Sequence, residues 1–228
     1  MLGGMSSESG LRERKKQRTR ELIAETARRL FTERGFDAVT VAEVARAADV
    51  SEGTVFNYFP TKEDLFYGGM ATFEAQLVDA VRQRPAGESV LAGFRRFLLD
   101  RSAGLAAEET AAAIDRAARL VGASPALQRR ERELVAQATD ALAGLIAEEL
   151  GAGAHDVEAW TVANALMGVQ RALVARVRAQ VLGGRHGPGL AADARSQAER
   201  AFAQLEAGLR DYATKPEPDH VALPMEPE

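Results

Sequence analysis

The stretch TVAEVARAADVSEGTVFNYFP, from Thr40 to Pro60, constrains this chain more than any other. It reads as two short helices joined by a tight turn. Val41, Val44, Ala45 and Ala48 recur at helical spacing and form a narrow apolar stripe of small side chains. Asp49-Val50-Ser51 interrupts the pattern, and Ser51 suits the N-cap of a second helix, since its hydroxyl accepts from an orphan N–H of the first turn. In that helix, Glu52 to Phe59, Val55 and Phe59 stand one turn apart and face inward. Glu52, Gly53, Thr54, Asn57 and Tyr58 are small or polar and face outward. Small residues opening an exposed helix let its backbone approach another surface, as a recognition helix does in the major groove. The pattern alone leaves a second reading open, a small helical hairpin with no partner.

The run Thr40-Val41…Ala45…Val50-Ser51-Glu52-Gly53-Thr54-Val55-Phe56-Asn57-Tyr58-Phe59…Lys62-Glu63-Asp64-Leu65 resembles the DNA-binding domain of the TetR family of repressors. The match extends upstream through Ile23, Ala27, Leu30, Phe31, Gly35 and Phe36, and covers roughly the first third of the chain. The resemblance implies an all-α fold: an N-terminal three-helix domain with a helix-turn-helix at 40–59, then a C-terminal helical bundle for ligand binding and dimerisation. It also implies roles. Thr40, Tyr58 and Lys62 occupy positions that usually touch phosphates, and Ser51, Glu52, Gly53, Thr54 and Asn57 lie at or facing the groove. Thr54 can bond a base or offer its methyl to thymine, and Asn57 can pair with adenine or a phosphate. Two positions depart from the commonest pattern. Phe56 stands where a tyrosine hydroxyl often meets a phosphate, and Tyr58 replaces a frequent histidine. Glu52 can accept from cytosine N4 or simply stabilise the helix N-terminus.

A net charge of −4 at first argues against a DNA partner, but its distribution does not. Of the 29 basic and 33 acidic residues, 11 and 9 lie up to Lys62, a balance of +2, which leaves 18 and 24, a balance of −6. Local charge governs attraction to phosphate more than the total does. The basic residues Arg12, Arg14, Lys15, Lys16, Arg18 and Arg20 form an arm ahead of the first helix, either a solvated helix end or a phosphate or minor-groove contact. The chain lacks cysteine, so disulfides and thiolate zinc sites are excluded, and its three histidines lack metal spacing. No apolar run approaches the ~20 residues of a membrane span, and the N-terminus lacks a signal-peptide core. A cytoplasmic location is the expectation, with no metal, no cofactor and no membrane partner.

Residues 1–10 are Gly/Ser-rich and residues 214–228 are Pro-rich and acidic, and both are expected to be disordered. Between them the expected division is a DNA-binding domain over 11–61 and a regulatory domain over 62–213. The first helix runs to about Arg34, with Leu22, Ile23, Thr26, Ala27, Leu30 and Phe31 as its buried face and Gly35 as C-cap. Thr40 and Glu43 form a capping box for the next helix. Thr61 caps a helix from Lys62 to about Arg82, which in the family links the two domains. Further helices are expected over 89–105, from about Glu108, from Ser124-Pro125 to about Leu150, over 156–182, and from about Leu190 to Tyr212.

The helix over 156–182 is apolar on two faces, one with Leu166 and Leu173, the other with Trp160 and Met167. One face meets its own domain, and the other, together with Ala198, Phe202, Leu205, Leu209 and Tyr212, suits a four-helix contact with a second copy. The alternative is a buried central helix in a monomer. A two-fold dimer would present recognition helices about 34–36 Å apart to the half-sites of a palindromic operator. Phe73, Phe94, Phe97 and Trp160, with Met70 and Met167, are either plain core or the wall of an apolar effector pocket. Asn164, Arg101, Arg116 and Arg119 would supply its polar side, suited to a long ligand with an anionic end. The regulatory half is similar to the branch of the family typified by the mycofactocin-system regulator, which implies an acyl-CoA-like or other hydrophobic effector.

No nucleophile elbow, paired histidine ligands or phosphate-cradling loop marks a catalytic site. The resulting expectation is a homodimeric, ligand-released repressor on double-stranded DNA. The alternative is an all-α ligand-binding or enzymatic protein without sequence-specific DNA binding. A non-specific architectural DNA binder is the third class, against which the acidic body and long regulatory half argue.

Overall fold

The computed structural model describes residues 5–207, with the side chains of 12, 14–68, 73 and 75–207. Every regular element among the described residues is helical: α1 (Met5–Arg34), α2 (Val41–Ala47), α3 (Glu52–Tyr58), α4 (Lys62–Arg82), α5 (Val90–Ser102), a 3-10 turn (Ala103–Ala106), α6 (Glu108–Ala123), α7 (Pro125–Glu149), α8 (Val157–Leu182) and α9 (Pro188–Glu206).

The starts are written in the sequence. Thr40, Ser51, Thr61, Ser89, Ser124 and Asp156 are each extended at the N-cap, and each side chain accepts from a backbone N–H of the first turn. Two of these caps are reciprocal boxes, Thr40 with Glu43 and Thr61 with Asp64. Proline opens α7 and α9, where its missing N–H is no loss.

Three expectations shift. Helix α1 begins at Met5, so residues 5–10 of the segment read as disordered are helical, and the basic arm is part of α1 rather than a lead-in. Once a helix is nucleated, each added residue gains one hydrogen bond, which offsets the weak propensity of Ser and Gly. Leu22, assigned to the buried face, is 51% exposed, because 100° per residue carries it off the Ile23–Ala27–Phe31 stripe. The last turn of the final helix, with Leu209 and Tyr212, and the tail 214–228 lie outside the described residues, as do residues 1–4 and the side chain of Met70.

Two main cores result. The first joins Ile23, Ala27 and Phe31 of α1 to Val44, Val55, Phe59 and Leu65, and it also takes in Val121 of α6 and Leu127 and Leu134 of α7. Burying each of its larger side chains contributes about 1.5–3 kcal/mol. Phe59 lies against the backbone of α4 at Gly68, where a Cβ would stand 2.9 Å from the ring, so no larger residue fits without displacing it. The second core gathers Leu77 and Val81 of α4, Phe94 of α5, Leu142 of α7, Leu166 and Met167 of α8 and Phe202 of α9. Helix α4 therefore contributes to both, and α7 does too.

Candidate nucleic-acid interface and effector cavities

The turn between α2 and α3 is closed by Asp49, whose φ of 56° lies in the left-handed region that Asp tolerates better than most residues. It lets Val50 N donate back to Ala45 O at 3.0 Å. Ser51 then caps α3, accepting from Thr54 N at 3.1 Å. Val55 and Phe59 are buried beneath α3, while Glu52, Gly53, Asn57 and Phe56 (46% exposed) form its outer face. A Cβ at Gly53 would meet only Ser51 Oγ, at 3.8 Å. Nothing within the chain requires glycine there, and the bare backbone leaves the start of α3 open to close approach from outside.

The remaining expected contacts are more engaged than their spacing suggests. Thr54 Oγ1 shares a 2.8 Å hydrogen bond with Ser51 Oγ, so its methyl is the less committed part. Thr40 donates its hydroxyl to Glu43 Oε2 at 2.9 Å, and Thr40 N donates to the same oxygen at 2.8 Å. These bonds, with Arg34 on the other oxygen at 2.8 Å, hold the Glu43 carboxyl at about 2; the Thr40 backbone bond is the largest cause and Arg34 the next. Lys62 sets its Nζ 4.3 Å from the centre of the Phe36 ring, and partial burial lowers its pKa against the pull of Asp37, Glu63 and Glu43. Tyr58 is half-buried. Arg12, Arg14, Lys15, Lys16 and Arg18 are exposed along α1.

The start of α7 is fastened to this region. Ser124 Oγ donates to Asp37 Oδ1 at 3.0 Å, Tyr67 OH donates to Leu127 O at 3.1 Å, and Arg130 donates through Nε and Nη2 to Asp64 Oδ1 at 3.1 and 2.9 Å. The other Asp64 oxygen accepts from Thr61 N and Oγ1, so one carboxylate both caps α4 and holds α7.

The residues expected around one pocket divide between two cavities. The first, about 620 Å³, lies among α4, α5, α6, α8 and α9 and is lined by Phe73, Arg101, Leu105, Ile114, Leu173 and Val177 among others. The second, about 520 Å³, lies between α7 and α8 and is lined by Trp160, Asn164 and Met167 with Thr139 and Arg171. Gln170, Val174 and Arg178 line both. The Arg101 guanidinium stacks over Phe73 and Phe97, 5.2 and 5.7 Å from their centres; Phe97 packs on Phe73 but lines neither cavity. Three expected residues stand elsewhere, among them Arg116, which is exposed on α6 and lines neither cavity. Phe94 is 0% exposed and packs edge-on against Phe202, because its face of α5 points to the second core. Arg119 is exposed on α6 and bonded to Asp115 at 2.8 and 2.9 Å. Gln170 and Arg178 were missed by sequence reasoning; nothing local separates them from Arg171, Arg176 and Gln180, the other long polar side chains of the same stretch of α8. Arg178 is held by Glu131 of α7 at 3.0 and 2.5 Å.

Among the described residues no group of three or more His, Cys, Asp or Glu is arranged to hold a metal, and no helix is long and apolar enough to cross a membrane. Comparison with known proteins agrees with the two-part arrangement. The family model for bacterial regulatory proteins of the tetR family matches residues 23–67, and that for the MftR C-terminal domain matches residues 88–210. The chain is 35% identical over 82 residues to the HTH-type transcriptional regulator TcmR of Streptomyces glaucescens, a match covering 36% of each chain. It is 28% identical over 163 residues to MftR of Mycobacterium tuberculosis, described as a mycofactocin biosynthesis transcriptional regulator, covering 68% of this chain and 78% of that one. In fold it is similar to NalD of Pseudomonas aeruginosa, the secondary repressor of the MexAB-OprM multidrug efflux pump, with a TM-score of 0.53, 19% identity, and coverage of 82% and 96%. With a helix-turn-helix at one end and an MftR-type domain over more than half its length, the chain belongs to the TetR family of bacterial transcriptional regulators.

Proposed function

We propose that this regulator is a homodimeric repressor that holds a palindromic operator and is released by a small-molecule effector, working in the cytoplasm. The observation that carries the reading is the outer face of α3, where polar Glu52 and Asn57 flank a Gly53 that no neighbour requires. In this reading residues 11–61 read DNA and residues 62–213 bind effector and partner. Tyr58, Lys62 and the Thr40 end of α2 meet phosphates, Thr54 and Asn57 read bases, Ser51 sets the start of the reading helix, and Phe56 offers an apolar contact in place of a phosphate bond. The second copy docks on the outer faces of α8 and α9, a reading supported by the exposure of Val157, Val162 and Leu182 along α8, whereas Ala198 and Phe202, expected at that contact, are buried in the chain's own second core because their face of α9 meets α5 and α8. A hydrophobic ligand such as an acyl-CoA would occupy the cavities beside α8.

Release follows from a population shift: an effector acts only if it binds better to a state whose recognition helices are wrongly spaced. Helix α4 is one lever, since it enters both cores. Helix α7 is a second. Its Glu131 holds Arg178 in the cavity wall, and the adjacent Arg130 holds Asp64 at the start of α4.

Selection of preferred sites from a random DNA pool tests the reading directly. A two-fold symmetric motif is the expected result, and recovery of no motif sinks it. On that site Tyr58→Phe and Lys62→Ala should weaken all sequences, whereas Thr54→Ala and Asn57→Ala should change preference; uniform losses would refute the assignment of roles. A monomer mass by light scattering at micromolar concentration would rule out the dimer. Long-chain acyl-CoA that leaves a micromolar gel-shift titration unchanged would eliminate that ligand class.

A further inference from the structure

Gln170 stands on α8 in the wall that the two cavities share, and it is only 6% exposed. Its Oε1 is buried and has no hydrogen-bond partner. Several of the other polar groups around the cavities are occupied within the chain, and among the described residues Gln170 is the lining residue with a fully buried side-chain atom left unpaired. Asn164 donates to Trp160 O at 2.8 Å, Thr139 to Val135 O at 2.8 Å and Ser102 to Leu99 O at 2.6 Å, while Arg178 is spent on Glu131. The one other buried side-chain oxygen without a partner among the described residues, Gln180 Oε1, lines neither cavity, and its amide nitrogen is bonded to Asp193.

A buried acceptor left unpaired destabilises the free protein, so an occupant that donates to it binds with more than its apolar contacts alone. The surroundings define that occupant further. Leu105, Ile114, Leu173 and Val177 present an apolar wall to its body. An anionic group at Gln170 would set lone pairs against the amide oxygen, whereas an uncharged N–H or O–H fits it.

We propose that Gln170 is the specificity-determining residue of the effector cavity, and that the effector is a largely apolar molecule which places an uncharged hydrogen-bond donor against its side-chain oxygen. This rests on the reading of these cavities as the effector site. It goes further by naming the polar group the effector must carry. A half-turn of the carboxamide would exchange oxygen for nitrogen and select an acceptor instead, so donor and acceptor preferences separate the two orientations.

The test uses the full-length protein without DNA and two matched probes, decanamide and N,N-dimethyldecanamide. Both carry the same chain and carbonyl, and only the first donates. Titration calorimetry gives their affinities, and emission from Trp160, the chain's single tryptophan, which lines the second cavity about 15 Å along α8 from Gln170, reports occupancy of that cavity. The primary amide should bind roughly 10- to 100-fold tighter, the range expected when a buried acceptor is paired or left unpaired. In Gln170→Met and Gln170→Leu, which keep the bulk and remove the acceptor, the ratio should fall to within about threefold. Equal binding of the two amides to the wild type, binding of neither, or an undiminished ratio in both variants overturns the proposal. A parallel gel shift separates the layers. The amide preference without operator release supports the role of Gln170 and counts against release by effector, and release by both amides alike does the reverse.

Discussion

Arg130 of α7 grips Asp64 at the first turn of α4 through two guanidinium nitrogens, 3.1 and 2.9 Å from a single carboxylate oxygen. The second oxygen of Asp64 closes the capping box with Thr61. One side chain thus fixes both where α4 begins and where α7 lies against it, two residues from Lys62. Both partners are largely shielded, with 23% and 17% of their side chains exposed, so solvent screens the pair less than it would a surface ion pair.

A double-mutant cycle with Arg130→Met and Asp64→Asn measures this joint. Asparagine keeps an oxygen for the cap, so the cycle isolates the ion pair. A coupling of about 1–2 kcal/mol in thermal or denaturant unfolding is expected for a shielded pair with two hydrogen bonds. A coupling near zero would mean that α7 is held to α4 by apolar packing alone.

Tyr67→Phe tests the neighbouring fastening. Burial raises the Tyr67 hydroxyl above its ordinary range, so it remains a donor to Leu127 O at any working pH. Removing it should cost about 0.5–1.5 kcal/mol, toward the lower end because the Leu127 carbonyl still serves its own helix. A loss above that range would show that the ring has moved and that more than one bond was lost.

The legibility of this architecture from sequence follows the range of the interactions. Thr40 with Glu43, Ser51 with Thr54 and Thr61 with Asp64 are contacts over three residues, and all are readable as caps. So are the apolar stripes, except where rotation along α1 turns Leu22 outward. The joint between Arg130 and Asp64 spans 66 residues, and no local pattern distinguishes Arg130 from Arg129 or Arg132. The effector residues divided for the same reason. Phe94 and Phe97 stand three residues apart on α5 and Phe73 lies on α4, and only long-range packing decides that Phe94 meets Phe202 while Phe73 reaches a cavity. Gln170 carries no local signal beyond being polar within an apolar run.

Gly53→Ala separates stability from DNA binding. The Cβ finds open space, with Ser51 Oγ at 3.8 Å as its nearest neighbour, so alanine should stabilise the free protein by about 0.5–1 kcal/mol through helix propensity. At a groove surface the same methyl has no room. Overpacking there should cost about 1–3 kcal/mol of binding, roughly five- to hundredfold in operator affinity. A variant that melts higher and binds its selected operator as tightly as the wild type would move the interface away from the start of α3.

The acid limb of the stability curve reports on the α2 cap. Glu43 titrates at about 2 in the folded chain against an ordinary value of 4.5, because Thr40 N donates to it, with Arg34 and the Thr40 hydroxyl adding to the effect. A carboxyl depressed in this way stabilises the fold fully above its unfolded value and loses that contribution as pH falls through the folded one. The window is therefore from 4.5 down to about 2. Glu43→Gln keeps a side-chain oxygen for the Thr40 backbone N–H but cannot titrate. Above pH 4.5 the wild type should melt higher than Glu43→Gln, and the gap should close steadily toward pH 2. Other acidic groups with lowered values, such as Asp193 and Glu149, titrate alike in both proteins and cancel in the difference. Parallel melting curves across that window would show that the carboxylate charge contributes nothing and that the cap rests on hydrogen bonding alone.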